Sequence, residues 1–273
     1  MRGGVAVGSD IALDDTLQPP LFSVPGCRVV YEYSIQSTNT LAHNLARNGA
    51  EERIIVVAEE QSAGKGRRGR GWVSGVGGAM FSLILRPSFS IWMARRIPLV
   101  ASVAAVEACE DVCGIKPWVK WPNDLLIKGK KVSGILAESS AEEERILYTV
   151  VGIGINAAQT ADDFPAELWD TATSLTIEAG RPVKRSDVIQ AFARRFFVWY
   201  DLMGAESDDA FWRAFEPVYR TCSITLGRRV TIVQTDGSFE AVAERLGESG
   251  ELWVKMDDGW ERAVWAADVS VKM

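Results

Sequence analysis

Glycines and cationic residues are interspersed at the centre of the stretch 61–74, a composition suited to binding an anion. The stretch holds four glycines and four cations without an acidic residue: Gly64, Lys65, Gly66, Arg67, Arg68, Gly69, Arg70 and Gly71. Glycine lets the backbone approach a ligand closely, and a guanidinium binds a carboxylate or phosphate through two hydrogen bonds. Because the whole chain has a formal net charge of -6, this positive field is local.

Two other interpretations of this loop remain open from its composition. It could be an ordinary solvated loop, or an arginine-glycine tract that binds nucleic acid without sequence preference. Its setting favours an anchored loop, because apolar runs at 54–58 and 79–85 predict buried strands on both sides. A sequence pI near 5.1 is also unusual for a protein that mainly binds nucleic acid.

A second stretch that could do chemistry runs from residue 119 to residue 137. Residues 122–124 interrupt a strand, and residues 128–130 supply the turn of a predicted hairpin. Lys131 then lies on the returning strand. Such a lysine is either a surface residue or a cation that points into a pocket beside Gly134, and the sequence leaves both open.

Small polar residues and glycines adjoin two further predicted elements. Ser37, Thr38 and Asn39 precede a helical pattern, where they are either helix caps or ligand-binding groups at a helix N-terminus. Gly152 and Gly154 lie in a predicted buried strand and permit close approach of a ligand or another backbone. No third glycine follows in place, so this pair does not fit a dinucleotide-binding motif.

Hydrophobic periodicity predicts an α+β chain. Strands are predicted at 28–33, 54–58, 79–85, 125–127, 131–136 and 145–156, and helices at 97–113, 183–203 and 211–219. Five short strands with glycine turns, the first of them at 222–226, predict a small C-terminal barrel. With 273 residues, 47% of them hydrophobic, the chain can form one large domain and a smaller one. We expect residues 1–25 to form a loose arm.

Several kinds of site are excluded by composition. The four cysteines form no C-x-x-C pair and His43 is the single histidine, so we expect neither a zinc site nor a Ser-His or Cys-His triad. The N-terminus lacks the apolar core of a secretory signal, and no apolar run reaches the roughly 18 residues of a membrane helix. We therefore expect a soluble cytoplasmic protein.

Together these stretches resemble the biotin protein ligase family. The run 64–72 resembles the family's adenylate loop, and Lys120-Trp-Pro-Asn-Asp124, with Lys131 and Gly134, resembles its nucleotide and biotin motif. Ser37-Thr38-Asn39 and Gly152-Ile-Gly-Ile-Asn156 complete the pattern in the same order. The resemblance is close over residues 28–160 and rests on pattern alone in the terminal barrel.

The resemblance implies a fold and a domain plan. Residues 26–219 would form a catalytic domain that binds biotin and ATP, with a mixed sheet and helices on one face, as in class II synthetases. Residues 220–273 would form an SH3-like barrel. Bifunctional members have a DNA-binding helix-turn-helix domain before the catalytic domain, so the short segment before residue 26 implies a monofunctional ligase.

The implied activity is an ATP-dependent ligation. Biotin is activated to biotinyl-5'-AMP and then transferred to a lysine of a biotin carrier protein, such as the carrier subunit of acetyl-CoA carboxylase. ATP and biotin are the implied substrates and Mg²⁺ is the implied cofactor. The resemblance implies a monomer or weak homodimer that binds neither DNA nor a membrane. Two alternatives are a lipoate or octanoate ligase or transferase of related fold, and a non-catalytic Arg/Gly protein that binds nucleic acid.

The resemblance also implies residue roles. Lys131, Arg67 and Asp124 would be catalytic, with Asp124 as the carboxylate that binds Mg²⁺. The implied biotin-binding residues are Ser37, Thr38, Asn39, Gln61, Gly64, Lys65, Gly66, Arg67, Lys131 and Gly134. The implied ATP- and adenylate-binding residues are Arg67, Arg68, Arg70, Trp72, Lys120, Asn123, Asp124 and Asn156. Trp72 is either a residue that stacks on the ligand or a core residue.

The chemistry of this reaction fits the cations of the loop. Attack of a carboxylate on the α-phosphate of ATP brings two anions together, which repel each other strongly unless cations neutralise them. The side chains available for this are Arg67, Arg68, Arg70 and Lys131. A loop so rich in glycine is also predicted to be disordered without ligand and to close over the adenylate.

Overall fold

The computed structural model describes residues 15, 17–18, 22–73, 75–234, 237–265 and 267–271. Its helices are α1 (Thr38–Arg47), α2 (Ile91–Ala94), α3 (Ile97–Cys113), α4 (Leu175–Ala179), α5 (Arg185–Ala205) and α6 (Asp208–Cys222). Its strands are β1 (Arg28–Ile35), β2 (Ile54–Gln61), β3 (Gly64–Lys65), β4 (Gly71–Trp72), β5 (Gly78–Leu85), β6 (Trp118–Lys120), β7 (Asp124–Ile127), β8 (Lys130–Glu142), β9 (Arg145–Asn156), β10 (Arg229–Gln234), β11 (Gly237–Leu246), β12 (Leu252–Lys255), β13 (Glu261–Val264) and β14 (Asp268–Val271).

A mixed sheet forms the centre of the molecule, as the sequence predicts. Its strand order is β1-β2-β5-β9-β8-β7-β6. The β1 and β2 strands are parallel, and the other neighbours are antiparallel. The β7–β8 hairpin confirms the predicted position of Lys131 on a strand. The described helices include none that is long and apolar enough to cross a membrane.

The two faces of this sheet are covered by different helices. Ile55 and Val57 of β2 belong to the main core, together with α3 and α5, whereas Ile54 and Val56 pack in a smaller cluster with α1. Successive strand residues point to opposite faces, so an apolar run such as β2 needs a cover on both. The long helices lie on one face as expected, and α1 covers the other face.

The C-terminal strands form a separate antiparallel sheet with the order β13-β12-β11-β10-β14. Within the described residues, β13 and β14 are its two edges and do not pair, so the sheet is not closed into a barrel. The predicted strand at 222–226 is wrong, because Cys222 ends α6 and the Ile224 N–H donates to the Val119 carbonyl of β6 at 2.9 Å. This run therefore joins the two sheets.

The described part of the predicted N-terminal arm is packed. Leu17, Phe22 and Val24 are buried in the main core, and the Asp15 carboxylate accepts a hydrogen bond of 3.1 Å from Nε of Arg185. The expectation of a loose arm is therefore wrong for these residues, because their apolar side chains fill the core. The remainder of the arm, residues 1–14, 16 and 19–21, lies outside the described residues.

Candidate functional site

The glycine-arginine loop lies over the central sheet and forms one side of a cleft of about 290 Å³. Strands β3 and β4 pair, and a 3-10 turn at Arg67–Gly69 joins them. The predicted site residues that line this cleft are Ser37, Thr38, Asn39, Gln61, Lys65, Gly66, Arg67, Arg70, Trp72, Lys120, Asn123, Asp124, Lys131 and Gly134. Gly64, Arg68 and Asn156 are not part of its lining.

Five polar residues, Ser37, Thr38, Asn39, Gln61 and Ser82, form an inner polar cluster at the start of α1. The Thr38 amide and hydroxyl donate to Oε1 of Gln61 at 2.8 and 3.1 Å. The Ser82 hydroxyl lies 2.8 Å from Thr38 Oγ1 and 2.7 Å from Asn39 Oδ1. Ser37 is the N-cap residue, but its side chain makes no cap hydrogen bond. The arrangement favours ligand binding over helix capping.

Asn39 is held from two directions. Its Nδ2 donates to Oε2 of Glu138 at 3.0 Å, which turns its Oδ1 towards Ser82. A Cβ at Gly152 would lie 2.0 Å from Asn39 Oδ1, far inside van der Waals contact. Gly152 is therefore the residue that leaves room for this amide.

Trp72 lies against bare backbone in the wall of the cleft. Gly134 and Gly154 face each other across β8 and β9, and a Cβ on either would approach the indole to 2.8 or 2.6 Å. The indole N–H donates to Sδ of Met80 at 3.1 Å. Of the two alternatives for Trp72, the structure favours a cleft residue over a core residue.

Lys131 points into the cleft, which decides the alternative that the sequence left open. Its Nζ lies 2.6 Å from Oδ1 of Asp124 and 5.3 Å from the centre of the Trp72 ring. Both charged side chains are partly exposed, at 35% and 22%, so a ligand can reach them. An anionic ligand would bind Lys131 in competition with Asp124.

The three arginines of the loop have different surroundings. Arg67 donates from Nη1 to Oδ1 of Asn123 at 2.9 Å, and burial lowers the pKa of its guanidinium, an effect that Asp268 opposes. Arg68 and Arg70 instead form exposed ion pairs with Asp268, at 3.3 and 2.6 Å. Because Asp268 begins β14, the terminal sheet holds the loop in place.

A smaller cavity of about 240 Å³ adjoins the cleft on the other side of Trp72. Asn156 lines it and is fixed there by a hydrogen bond of 2.9 Å from its Nδ2 to the Thr173 carbonyl. Phe164 and Leu168 supply apolar walls, and Lys131 is shared with the main cleft. This cavity suits a flat, mostly apolar group with a few polar atoms.

The acidic side chains at the cleft limit how it could bind a metal ion. The described residues contain no group of three or more His, Cys, Asp or Glu side chains placed to hold one. Asp124 and Asp268 are the carboxylates in the described lining of the cleft. Mg²⁺ is commonly bound by one or two carboxylates together with substrate phosphates and water, so this donor set fits Mg²⁺ that arrives with a nucleotide.

Sequence reasoning missed three residues that contact the site. Ser82 is a polar residue in the apolar run 79–85, and that exception was a usable signal. Glu138 and Asp268 gave no comparable signal, because their contacts are with residues 99 and about 200 positions away.

Comparisons with known proteins agree with this geometry. Residues 31–156 match a family model described as the biotin/lipoate A/B protein ligase family. The chain is 37% identical over 252 residues to the bifunctional ligase/repressor BirA of Bacillus subtilis, covering 91% of this chain and 75% of that protein. It is 32% identical over 236 residues to the biotin--[acetyl-CoA-carboxylase] ligase of Paracoccus denitrificans, covering 85% and 96%. The biotin protein ligase from Aquifex aeolicus in complex with biotin and ATP superposes with a TM-score of 0.75 at 27% identity, covering 90% and 98%.

Proposed function

This chain belongs to the biotin/lipoate A/B protein ligase family, and we propose that it is an ATP-dependent biotin protein ligase. It activates biotin as biotinyl-5'-AMP and transfers the biotinyl group to a lysine of a biotin carrier protein. The observation that supports this most strongly is that Lys131, Arg67 and four members of the inner polar cluster line one and the same cleft. The cations suit two anionic reactants, and the cluster suits a polar ring.

In the first step a biotin carboxylate oxygen attacks the α-phosphorus of ATP. The new P–O bond gives a mixed anhydride, and the bond to the β-phosphate breaks, so that pyrophosphate leaves with the electron pair. Lys131 and Arg67 reduce the repulsion between carboxylate and phosphate. When bound, Mg²⁺ would offset further phosphate charge, with Asp124 as its protein carboxylate.

The inner polar cluster supports biotin over lipoate as the substrate. The ureido ring of biotin has hydrogen-bond donors and an acceptor that can pair with Ser37, Thr38 and Gln61, whereas the dithiolane ring of lipoate has no N–H or carbonyl. Lipoate could not replace these hydrogen bonds, and a site built for hydrogen bonds rejects an analogue that lacks them.

The nucleotide fits the opposite end of the cleft. We assign the adenine to the cavity beside Asn156, with Trp72 as a stacking wall, and the phosphates to the side lined by Arg67, Asn123 and Lys120. The α-phosphate would then lie within reach of Lys131 and Arg67, which line the same cleft. The biotin carboxylate and the α-phosphate then lie next to each other in the middle of the cleft. Holding the two groups in this geometry lowers the entropic part of the reaction barrier.

The test is incubation of the purified protein with MgATP and a biotin carrier domain, with biotin in one reaction and lipoate in another. We expect the carrier mass to increase by one biotinyl group, pyrophosphate to be released, and lipoate to give neither. Lys131→Ala is the negative control. If the wild-type protein forms no adenylate from biotin, the proposed function is wrong; if lipoate is the better substrate, the specificity assignment is wrong.

Further features of the proposal concern organisation and location. Residues 26–219 would be the catalytic domain and 220–273 an accessory domain, in a monomer or weak homodimer that does not bind DNA.

The cysteines support a reducing cytoplasmic location, because Cys27, Cys109, Cys113 and Cys222 are all free thiols. Sedimentation at assay concentration and a salt-dependent DNA-binding titration would test the assembly and the absence of DNA binding.

A further inference from the structure

The Asn39 side chain lies across three neighbouring strands of the central sheet. Ser82 on β5 is paired with Gly152 on β9, and Gly152 is paired with Leu136 on β8. Because alternate residues of a strand share a face, Glu138 lies on the same face of β8 as Leu136. The Asn39 amide therefore passes over Gly152, with β5 on one side and β8 on the other.

The two ends of this amide contact side chains of different hydrogen-bonding capacity. Its Nδ2 donates to Oε2 of Glu138 at 3.0 Å, and its Oδ1 accepts from the Ser82 hydroxyl at 2.7 Å. An ionised carboxylate can only accept a hydrogen bond, whereas a serine hydroxyl can donate or accept one. Glu138 is therefore the partner that fixes which end of the amide faces β8, and Ser82 is the partner that adapts.

The orientation of the Asn39 amide determines where the single hydroxyl proton of Ser82 goes. With Oδ1 towards Ser82, the proton is donated to Asn39 and is not available to Thr38, although the two hydroxyl oxygens lie 2.8 Å apart. With the amide reversed, Ser82 would accept from Asn39 and donate to Thr38, which would use one of the two acceptor positions of the Thr38 hydroxyl. Glu138 thus sets the donor and acceptor pattern that the inner polar cluster presents to a ligand.

Glu138 exerts this influence from outside the cleft. It is not part of the described lining of the cleft, and its side chain is 44% exposed, whereas Asn39 is buried. Its Oε2 also lies 3.3 Å from Nε2 of His43, one helical turn after Asn39 on α1. The His43 ring in turn packs edge-on against Tyr148 of β9, with 5.8 Å between the ring centroids. The carboxylate therefore has a second support besides Asn39.

We propose that Glu138 is a positioning residue for biotin, which holds the buried Asn39 amide in one of its two orientations and so fixes the hydrogen-bond polarity of the inner polar cluster. This inference rests on the proposed function, which assigns the cluster to the ureido ring. That ring has N–H donors and a carbonyl acceptor at fixed positions, so a cluster of reversed polarity loses hydrogen bonds to it. Glu138 itself contacts neither biotin nor ATP in this assignment.

The test is a series of substitutions that changes the hydrogen-bonding capacity at position 138. Glu138→Gln keeps an acceptor, Glu138→Leu has neither a donor nor an acceptor, and Glu138→Lys can only donate. We expect the Kd for biotin, measured by titration calorimetry, to stay within about two-fold of wild type in Glu138→Gln, and to rise about three-fold in Glu138→Leu and about ten-fold in Glu138→Lys. Glu142→Lys, at the exposed end of the same strand, is the matched control and should leave the Kd unchanged.

Steady-state kinetics separate a positioning role from general damage to the cleft. In Glu138→Lys, the KM for biotin in ATP–pyrophosphate exchange should rise together with the Kd, while kcat and the KM for ATP stay within about two-fold of wild type. An equal rise in the KM for ATP would overturn the assignment, because it would show that the substitution disturbs the whole cleft.

A double-mutant cycle tests whether Glu138 acts through Asn39. In an Asn39→Ala background there is no amide to orient, so Glu138→Lys should change the Kd for biotin by less than about two-fold. The same loss with and without Asn39 would overturn the proposal, as would equal Kd values in Glu138→Lys and Glu142→Lys. A Glu138→Gln variant as weak as Glu138→Lys would assign the effect to the charge of the carboxylate and would contradict the proposal too.

Failure of the proposed function gives a different result. Wild type that binds no biotin would overturn both the proposed function and the role of Glu138. Wild type that binds biotin but forms no adenylate would overturn the ligase activity alone, and the calorimetric series would still decide whether Glu138 positions the biotin site.

Discussion

The inner polar cluster and the glycine-arginine loop form opposite sides of one cleft, but they are held by different interactions. Ser37, Thr38 and Asn39 are only 2–4% exposed, and the cluster is fixed by hydrogen bonds among its own members and to Glu138. The middle of the loop is held at its rim, where Asp268 pairs with Arg68 and Arg70, which are 34% and 63% exposed.

This difference determines what each region can do on ligand binding. A buried polar group without a partner costs roughly 1–3 kcal/mol, so the inner cluster keeps its geometry before biotin arrives. An exposed ion pair contributes only about 0–1 kcal/mol, so the loop can exchange the Asp268 carboxylate for a phosphate at little cost. The inner cluster provides selectivity, and the loop provides a cover that can open.

The largest effect is expected where the two regions meet, at Lys131. Lys131→Met removes the ammonium that neutralises both reactants, and we expect adenylate formation to fall about a hundred- to a thousand-fold. Biotin-dependent ATP–pyrophosphate exchange measures this. Lys130→Met is the matched control, since Lys130 Nζ donates to the exposed Trp169 carbonyl. Equal rates in the two variants would show that Lys131 takes no part in the reaction.

A smaller loss of adenylate formation is expected from Arg67, and a smaller one still from Arg68 of the same loop. Arg67→Ala removes a half-buried cation beside Asn123, and we expect adenylate formation to fall about ten- to a hundred-fold. Arg68→Ala removes an exposed cation outside the cleft lining and should change the rate by less than about three-fold. Pre-steady-state release of pyrophosphate distinguishes them. A larger loss from Arg68→Ala would reverse the assignment within the loop.

Gly152 tests whether the inner cluster is rigid. Gly152→Ala places a methyl group 2.0 Å from Asn39 Oδ1, so Asn39 must move away from Ser82. We expect the KM for biotin to rise about ten-fold with little change in the KM for ATP. Gly204→Ala on α5 has no atom within 4 Å of the added carbon and should leave both values unchanged. An unchanged biotin KM in Gly152→Ala would show that this region yields as easily as the loop.

The smallest effect is expected from Asp268, whose removal should loosen the loop without unfolding the protein. Asp268→Asn weakens two exposed ion pairs, so we expect a change of less than about 1 kcal/mol in the free energy of unfolding. Amide exchange over residues 64–72 should become faster without ligand and return to the wild-type rate with biotin and MgATP. Asp257→Asn, which breaks an exposed pair with Arg229, is the control. Loop exchange that is already slow in ligand-free wild type, or unaffected by Asp268→Asn, would show that the loop is held as firmly as the inner polar cluster.

Much of the site could be predicted from the sequence because its parts have local signatures. Glycine and arginine spacing marked the loop, Pro122-Asn123-Asp124 marked a strand break, and β5 and α3 followed from apolar periodicity. Each of these depends on residues within a few positions of one another. The strand prediction at 222–226 is wrong because a local alternating pattern does not distinguish a strand of the terminal sheet from a linker that hydrogen-bonds to β6.

Orientation and long-range pairing could not be predicted in this way. The sequence allows Lys131 to be a surface residue or a pocket cation, and Trp72 to be a core residue or a ligand-stacking residue. Only the packing of the surrounding strands decides between them, because the exposure of a side chain depends on what packs above it. The contacts of Asn39 with Glu138, and of Arg70 with Asp268, join residues 99 and 198 positions apart.

The sequence by itself determined the chemical composition of the cleft: an anion-binding loop, a lysine on a hairpin strand, and small polar residues at the start of a helix. These follow from side-chain type and short-range periodicity. Only the tertiary structure decided that one end is preformed and buried while the other is held by exposed charge pairs. That distinction depends on burial, which is a property of the packed chain and of no segment alone.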